Sequence, residues 1–305
     1  MSAEIRGVLP VFQTPFKNDE TIDSRVLQRE IDWLLEQGAD GVVMAMVSEV
    51  LRLDSAERRE LAEMVCRIVA KRGTVTISVG AESSKVAEAL ARHAQDAGAD
   101  AVMAIPPVSI GAGEDELLRY YERIIRAVSI PVVVQDASSY VGKPLSVGLY
   151  AKMMEEFGRE RLYFKPEATP IGPRLSLLRD ATNGKARVFE GTGGIALVDS
   201  HRRGIVGTMP GADLIRGIVA LWRALERGDE AAVYRINGPL VALVSLQNSL
   251  DSFLSIEKYL LVKQGVFKNA LIRGPVGYVM DSETKAEVDR LFDRLTQILD
   301  EEKSR

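Results

Sequence analysis

Cysteine, histidine and tryptophan are scarce in this chain of 305 residues, which has one cysteine, two histidines and two tryptophans. Because Cys66 is alone, no disulfide can form within the chain, and no Cys-x-x-Cys pair or Cys/His cluster is present to hold structural zinc. His93 and His201 fall in helical patterns, where packing or surface roles are expected rather than catalysis. The sequence therefore predicts chemistry without histidine or a metal.

Long apolar runs and an excess of positive charge are also missing. No stretch approaches the ~20 apolar residues of a membrane span, and the N-terminus lacks the basic-then-apolar pattern of a signal peptide. The formal net charge is −4 without a basic block, so nucleic acid is not an expected partner. With 46% hydrophobic and 27% charged residues, the composition is typical of a soluble globular protein, and a reducing cytoplasm is the expected location.

The chain does contain a regular alternation of strand-like and helix-like segments. Gly38-Ala39-Asp40-Gly41 ends a helix pattern and begins a strand, and Gly98-Ala99-Asp100-Ala101 repeats this arrangement. Eight strands and eight helices in succession predict a (β/α)8 TIM barrel, which routinely takes about 250 residues. A doubly wound sheet is the competing fold, but Phe12-Gln13-Thr14-Pro15 after the first strand is unlike a glycine-rich phosphate turn.

After about residue 227 the strand patterns stop. Helical patterns cover residues 230–244, 249–264 and 282–301, with a Gly/Pro break at Arg273-Gly274-Pro275. We therefore predict a barrel over residues 1–226. A C-terminal helical extension over residues 227–305 is expected to pack on the barrel or on a neighbouring subunit.

The segment Leu162-Tyr163-Phe164-Lys165-Pro166-Glu167 has the pattern of a buried strand with a lysine inside it. Side chains alternate across a strand, so Tyr163, Lys165 and Glu167 share one face. Parallel strands in α/β proteins are covered on both sides, and a buried lysine tends to become a neutral, nucleophilic amine suited to Schiff-base chemistry. The alternative is a lysine at an exposed strand end, held by Glu167. Barrel active sites lie at the carboxyl ends of strands, which favours catalysis.

The other strand ends supply the rest of the candidate site. Glu167 is the candidate acid/base, which requires a pKa raised by burial, and Gln135 after strand five is predicted to orient a substrate hydroxyl or a water. The predicted substrate-binding residues follow strands two and seven or lie in strand eight: Met46, Val47, Ser48, Glu190, Gly191 and Val206. Ser48 could instead cap its loop, and Glu190 could anchor the glycines after it. Asp136 is expected to stabilise its loop.

A resemblance to a known family covers nearly the whole chain. It is carried by Gly7 to Phe16, Gly38-Ala39-Asp40-Gly41, the strand-two loop ending in Glu49, Ile130-Pro131-Val132, the strand-six lysine and Glu257-Lys258-Tyr259-Leu260. Together these segments resemble the dihydrodipicolinate synthase / N-acetylneuraminate lyase superfamily. The resemblance implies a class I lyase or dehydratase that attaches a 2-oxo acid to Lys165, and it implies assembly into dimers or tetramers.

Departures from the family pattern bear on the substrate. The family's Gly-Thr-Thr-Gly-Glu motif is Ala45-Met46-Val47-Ser48-Glu49 here, and Val108 and residues 135–138 stand where the family has tyrosines. Dihydrodipicolinate synthase and neuraminate lyase activities are therefore disfavoured. Ser48-Glu49, Val134-Gln135-Asp136-Ala137 and the Tyr-Phe-Lys-x-Glu strand instead resemble the 2-keto-3-deoxy-L-arabonate dehydratase-like branch.

These observations predict a Schiff-base lyase acting on a 2-oxo acid, in the first place a dehydratase of a 2-keto-3-deoxy sugar acid. Lys165 would form the iminium ion, Glu167 would serve as acid/base, and Ser48 with the Met46 to Ser48 amides would receive the carboxylate. This mechanism requires no metal or organic cofactor. Two alternatives stay open: a class I 2-oxo-acid aldolase with the same lysine, and a barrel that binds a 2-oxo acid without converting it.

Overall fold

The computed structural model describes residues 4–138 and 142–304 of the chain. In this part of the chain eight strands alternate with eight helices, and three further helices follow. The strands are β1 Gly7–Val8, β2 Gly41–Val43, β3 Thr74–Ser78, β4 Ala101–Ala104, β5 Val132–Gln135, β6 Leu162–Lys165, β7 Phe189–Glu190 and β8 Gly207–Thr208. The helices are α1 Ser24–Glu36, α2 Ser55–Val69, α3 Ser84–Asp96, α4 Glu114–Ala127, α5 Val147–Phe157, α6 Ile171–Ala181, α7 Leu197–Arg202, α8 Ile215–Arg227, α9 Glu230–Val244, α10 Leu250–Lys263 and α11 Ser282–Lys303.

The strands close into a ring. β2 to β6 form one parallel sheet, and β1, β8 and β7 form a second. Parallel bridges between Val11 and Val43, and between Phe164 and Val188, join the two sheets. The predicted TIM barrel is therefore confirmed. The strands of the second sheet, β1, β7 and β8, have two residues each, fewer than the sequence pattern predicts. The regular pairing stops early where this sheet meets the first one.

The repeated Gly-Ala-Asp segment has the same structural role in both copies. Gly38 and Gly98 have φ values of 95° and 98°, in the left-handed region that favours glycine, and they follow the ends of α1 and α3. Asp40 accepts a hydrogen bond from a backbone N–H of β1 at 2.8 Å, and Asp100 accepts one from β3 at 2.9 Å. Each aspartate therefore ties the start of its own strand to the strand before it.

Side chains alternate between the interior of the barrel and the layer between strands and helices. Tyr163 packs in the interior cluster with Val133 and Phe189, whereas Phe164 packs in the outer cluster. Lys165 follows two positions after Tyr163 and therefore lies on the interior face, at the carboxyl end of β6. This register places the lysine at the mouth of the barrel.

The C-terminal extension packs on the carboxyl end of the barrel in the same chain. α9 packs against α8 and α11, while α10 contacts the turn after β2. Arg52 near that turn pairs with Asp251 of α10 at 2.5 Å, and Arg273 pairs with Glu57 of α2 at 2.6 Å. The domain boundary at residue 226 remains a prediction, and its two ranges include residues outside the described part. Within the described residues, no helix has the length and apolarity to cross a membrane.

Candidate active site

Lys165 lies at the end of β6 beside the end of β5, where Gln135 is its partner in the strand register. The residue is almost fully buried, with 3% of its surface exposed. Lys165 Nζ lies 3.0 Å from Glu167 Oε1, and Gln135 Nε2 donates a hydrogen bond of 2.8 Å to the same oxygen. The three side chains that the sequence assigns to catalysis thus contact one another.

Burial determines how Glu167 holds its proton. Loss of solvent raises the pKa of this carboxyl, while the charge of Lys165 and hydrogen bonds from Lys165 and Gln135 act in the opposite direction. The Glu167 backbone is also fixed, because its N–H donates to Asp136 Oδ1 at 3.0 Å. Asp136 Oδ1 accepts a second hydrogen bond from the Ser138 N–H at 3.1 Å, in agreement with its predicted loop role. Glu167 can therefore hold or release a proton beside the amine.

Gly191, just after β7, lets the backbone approach the lysine side chain closely. A Cβ atom at this position would lie 2.5 Å from Lys165 Cε and 2.7 Å from Glu167 Oε1. Close-packed atoms do not approach each other this far, so a larger residue would displace the Lys165–Glu167 pair. The glycine therefore fixes where the amine sits.

A cavity at the carboxyl end of the barrel reaches Lys165. Its volume is small, about 30 Å³. Six predicted residues line it: Met46, Val47, Gln135, Lys165, Glu167 and Gly191. The other walls come from Val11, Ala45, Gly193, Met209, Pro210, Gly211, Phe253 and Glu257. In the described ranges, no group of three or more His, Cys, Asp or Glu side chains is arranged to hold a metal ion.

The turn after β2 contributes Met46 and Val47 to the wall of this cavity. Residues Met46–Ser48 form a short 3₁₀ turn, whose first amides have no acceptor within the turn. Among the described residues, the Met46 and Val47 N–H groups make no hydrogen bond, whereas the Ser48 N–H donates to Ala45 O at 2.9 Å. Two amides, rather than the three expected from the sequence, are thus available to an anion.

Ser48, predicted to receive the substrate carboxylate, does not line the cavity. Its hydroxyl donates to Phe12 O at 2.6 Å and accepts a hydrogen bond from the Ala45 N–H at 3.1 Å. The single hydroxyl proton is therefore already used, and the side chain closes the turn onto β1. This is a correction to the sequence assignment, and it agrees with the loop-capping alternative.

Glu190 and Val206 also lie outside the cavity lining. The Glu190 carboxylate accepts hydrogen bonds from the Thr192 N–H and the Thr208 hydroxyl, both at 2.6 Å, so it anchors the glycine turn. Val206 precedes β8 and lies at the amino end of that strand, whereas the cavity is at the carboxyl ends. The structure does not bring these two residues to the cavity, and their roles as substrate contacts stay predictions.

α10 supplies two cavity residues that the sequence analysis did not place at the site. Phe253 and Glu257 are one helical turn apart, on the same face, and both line the cavity. The signal in the sequence was a pair of charged residues, Glu257 and Lys258, inside an otherwise apolar helical run. Nothing in that run indicates which strand end the helix will cover, so the spatial relation could not be predicted.

Lys258 is a second fully buried lysine, and its environment differs from that of Lys165. Its Nζ donates to Thr14 O at 2.9 Å, to Leu271 O at 2.7 Å and to the Glu49 carboxylate. Burial lowers the pKa of Lys258, and the charge of Glu49 opposes this shift. All three donors of the ammonium group are used, so Lys258 joins the extension to the barrel rather than facing the cavity.

Comparison with known proteins agrees with this geometry. Residues 4–158 match the model of the dihydrodipicolinate synthetase family. The chain is 29% identical over 302 residues to the L-2-keto-3-deoxyarabonate dehydratase of Azospirillum brasilense, with 96% of each chain covered. It is 26% identical over 257 residues to a probable 2-dehydro-3-deoxy-D-pentonate aldolase of Escherichia coli K12, with 83% of this chain and 85% of the relative covered.

Similarity to a solved structure extends over nearly the whole fold. The dihydrodipicolinate synthase of Rhodopseudomonas palustris superposes with a TM-score of 0.86 at 26% identity, covering 95% of this chain and 97% of that one. The family-model match ends at residue 158, before Lys165, whereas the superposed barrel covers nearly the whole chain. The chain belongs to the dihydrodipicolinate synthetase family and is a lyase of that family.

Proposed function

We propose that this chain dehydrates a 2-keto-3-deoxy sugar acid, of the kind represented by L-2-keto-3-deoxyarabonate, through a Schiff base on Lys165. The observation that carries the proposal is a buried amine 3.0 Å from Glu167 in the cavity. Burial removes the water that stabilises an ammonium ion, and the carboxyl beside it can accept the proton. The 29% identity to a dehydratase named for this acid supports the substrate class.

The first step makes the Lys165 amine nucleophilic. Its proton moves to Glu167, and the raised pKa that burial gives Glu167 favours this direction. Gln135 holds the accepting oxygen in place. The amine attacks C2 of the 2-oxo acid, Glu167 returns the proton to the resulting hydroxyl, and that hydroxyl leaves as water to give the iminium ion.

The substrate carboxylate binds at the turn after β2 in this proposal. Met46 and Val47 line the cavity, and their N–H groups make no hydrogen bond in the described part of the chain. Adjacent backbone N–H groups of this kind can hold an anion. The Ser48 hydroxyl, included in the sequence prediction, has no part in this binding.

Elimination then follows from the iminium ion. The positive charge makes the C3 protons acidic, and Glu167, now a carboxylate, removes one to give the enamine. The enamine electrons form the C3–C4 double bond and expel the C4 hydroxyl as water. In the conjugated iminium ion a C5 proton is lost and C3 is protonated, which leaves a C4=C5 enol. The enol becomes the C5 aldehyde when its hydroxyl proton is lost and C4 is protonated, and hydrolysis of the iminium ion frees this semialdehyde and the lysine. These steps use no metal or organic cofactor.

An aldolase is the second candidate, and the 26% identity to a probable pentonate aldolase favours it. Retro-aldol cleavage breaks the C3–C4 bond and requires a base that takes the proton of the C4 hydroxyl. Dehydration instead requires an acid that gives this hydroxyl a proton. Both reactions begin with the same iminium ion, so Lys165 alone does not decide between them.

Product analysis separates the two reactions. The purified chain is incubated with L-2-keto-3-deoxyarabonate and with a small panel of related 2-keto-3-deoxy acids, and the products are identified by NMR. We expect a semialdehyde from dehydration, whereas pyruvate and glycolaldehyde would show retro-aldol cleavage. Lys165→Ala is the control and should form neither product. Absence of both products with every acid of the panel would contradict the proposal.

A further inference from the structure

Glu257 is a buried carboxyl at the cavity wall that the mechanism above does not use. It is carried by α10 and is fully buried, and it lines the same cavity as Lys165 and Glu167. The C-terminal extension therefore provides the active-site cavity with a second acidic group, on a different element from the Lys165–Glu167 pair.

The contacts of Glu257 leave one of its oxygens available. Gln13 Nε2 donates to Oε2, and this hydrogen bond fixes the orientation of the carboxyl. Oε1 makes no hydrogen bond within the described part of the chain. It lies directly against the Gly211 backbone, where a Cβ atom would be 1.8 Å away, and Gly211 is itself part of the cavity wall. A residue of the cavity wall thus holds a buried carboxyl oxygen that has no hydrogen-bond partner among the described residues.

The surroundings of Glu257 favour the protonated form. The nearest charged groups are two further buried carboxyls, Asp213 and Glu30, and the neighbouring Lys258, whose donors are used by Glu49 and two carbonyls. Burial, followed by the charges of Asp213 and Glu30, raises the pKa of Glu257 well above its usual value. The raised pKa favours the neutral carboxylic acid, which can give up a proton.

We propose that Glu257 is a second catalytic residue, the acid that protonates the hydroxyl leaving C4 of the substrate. The inference rests on the proposed function, because it assigns the acid that this elimination requires. The Lys165 side of the cavity supplies the nucleophile and the base, and Glu257 supplies the proton from α10. Asp213 is not the acid, since it does not line the cavity and accepts a hydrogen bond from Gln247 at 3.1 Å.

The step balances as follows. In the enamine, the nitrogen lone pair forms the C2=N bond, the C2=C3 electrons form C3=C4, and the C4–O bond breaks. The departing oxygen takes the Glu257 proton and leaves as water, so Glu257 becomes a carboxylate. Glu257 recovers a proton from water when the product leaves, and Glu167 releases the one it took from C3. One water is lost per turnover.

Two leaving groups test the assignment. Hydroxide must be protonated to leave, whereas fluoride leaves with little assistance, so 4-fluoro-2-oxobutanoate eliminates through the same enamine without an acid. Glu257→Gln keeps the shape of the side chain and an oxygen for Gln13 but has no acidic proton. We expect its turnover of L-2-keto-3-deoxyarabonate to fall by about 10² to 10⁴-fold, and its fluoride release to stay within a few fold of wild type.

A third readout separates this inference from the proposed function. Exchange of the pyruvate C3 protons in D₂O, followed by NMR, needs Lys165 and Glu167 but no leaving group at C4, so Glu257→Gln should retain it. Asp289→Asn, in a carboxyl of α11 that pairs with Lys263 and lies outside the cavity lining, is the control and should retain all three activities. Equal losses of water and fluoride elimination in Glu257→Gln, or normal dehydration, would overturn the acid role. If wild type itself exchanged no pyruvate protons, the proposed function would fail instead.

Discussion

Two lysines are buried in the described part of the chain, and their surroundings distinguish a reactive amine from a structural one. Lys258 uses its three donors on two carbonyls and a carboxylate, within the contact between the extension and the barrel. Lys165 instead lies in a cavity wall beside Glu167, a carboxyl whose pKa is raised by burial. Burial alone therefore does not identify a Schiff-base lysine. The distinguishing feature is access to a cavity, because Lys258 also has a carboxylate at hydrogen-bonding distance.

Glu167→Gln tests the role of the carboxyl beside Lys165. The amide keeps the size of the side chain but cannot accept a proton, so we expect pyruvate C3 exchange in D₂O to fall by about 10² to 10⁴-fold. Prolonged incubation with pyruvate and borohydride should still give an adduct, because the amine remains. Unchanged exchange in the variant would show that another group removes the C3 proton.

Gly191→Ala tests whether the close approach after β7 sets the position of Lys165. Its Cβ would clash with Lys165 Cε and Glu167 Oε1, and a displacement of the amine by about 1 Å can cost about 10²-fold in rate. We expect single-turnover adduct formation with pyruvate to slow by this order. Gly238→Ala is the control, since a Cβ there meets no atom within 4 Å, and it should keep the wild-type rate.

At the scale of elements, α10 joins the C-terminal extension to the active-site end of the barrel. One face of the helix contributes Phe253 and Glu257 to the cavity, and the adjacent Lys258 pairs with Glu49 in the loop after β2. The same loop carries the Met46 and Val47 amides. Positioning of the anion-binding turn and of α10 is therefore coupled through one buried ion pair.

A double-mutant cycle measures this coupling. Removing one partner of a buried ion pair leaves an uncompensated charge, so Lys258→Met should lower the free energy of unfolding by about 3–5 kcal/mol. Glu49→Gln leaves the lysine without its carboxylate and should also destabilise. In urea unfolding, we expect the double variant to lose about 1–3 kcal/mol less stability than the two single losses added together. Strict additivity would mean that the pair contributes no coupling.

The elements of this fold could be predicted from the sequence, whereas only part of the site could. The alternation of strands and helices is a local, periodic signal, and Lys165 was recognisable as a charge inside an apolar strand. The contact of the Ser48 hydroxyl could not be foreseen, because its acceptor, Phe12 O, lies 36 residues away in the segment after β1. Glu257 was missed because the direction of α10 over the barrel depends on contacts such as Arg52–Asp251, which have no sequence periodicity.

At the scale of the whole molecule, the interior near the mouth of the barrel holds more carboxyls than cations. Burial raises the pKa of Glu30, Asp213 and Glu257, and that of Asp213 rises to about 7. In the unfolded chain these groups lose their protons near their ordinary pKa values. Above about pH 4 the folded chain therefore holds more protons than the unfolded chain. For this reason the free energy of unfolding falls as the pH rises.

Asp213→Asn tests this pH dependence. A carboxyl whose folded pKa is raised stabilises the fold less as the pH rises from about 4 to about 7, because only the unfolded state is ionised in that window. We expect wild-type urea stability to fall between pH 5 and pH 8. The neutral variant should lose less stability over the same range. An identical dependence of stability on pH in both proteins would contradict the assignment.

Assembly into dimers or tetramers stays a prediction from family resemblance, and light scattering of the purified chain would test it.

The most direct test of the account is to find which lysine carries the substrate. The chain is incubated with pyruvate, reduced with borohydride and digested, and its peptides are analysed by mass spectrometry. The account predicts one reduced pyruvate adduct, on Lys165, with Lys258 unmodified and no adduct in Lys165→Arg. An unmodified Lys165 in the wild-type chain, with pyruvate absent or attached to surface lysines, would contradict it.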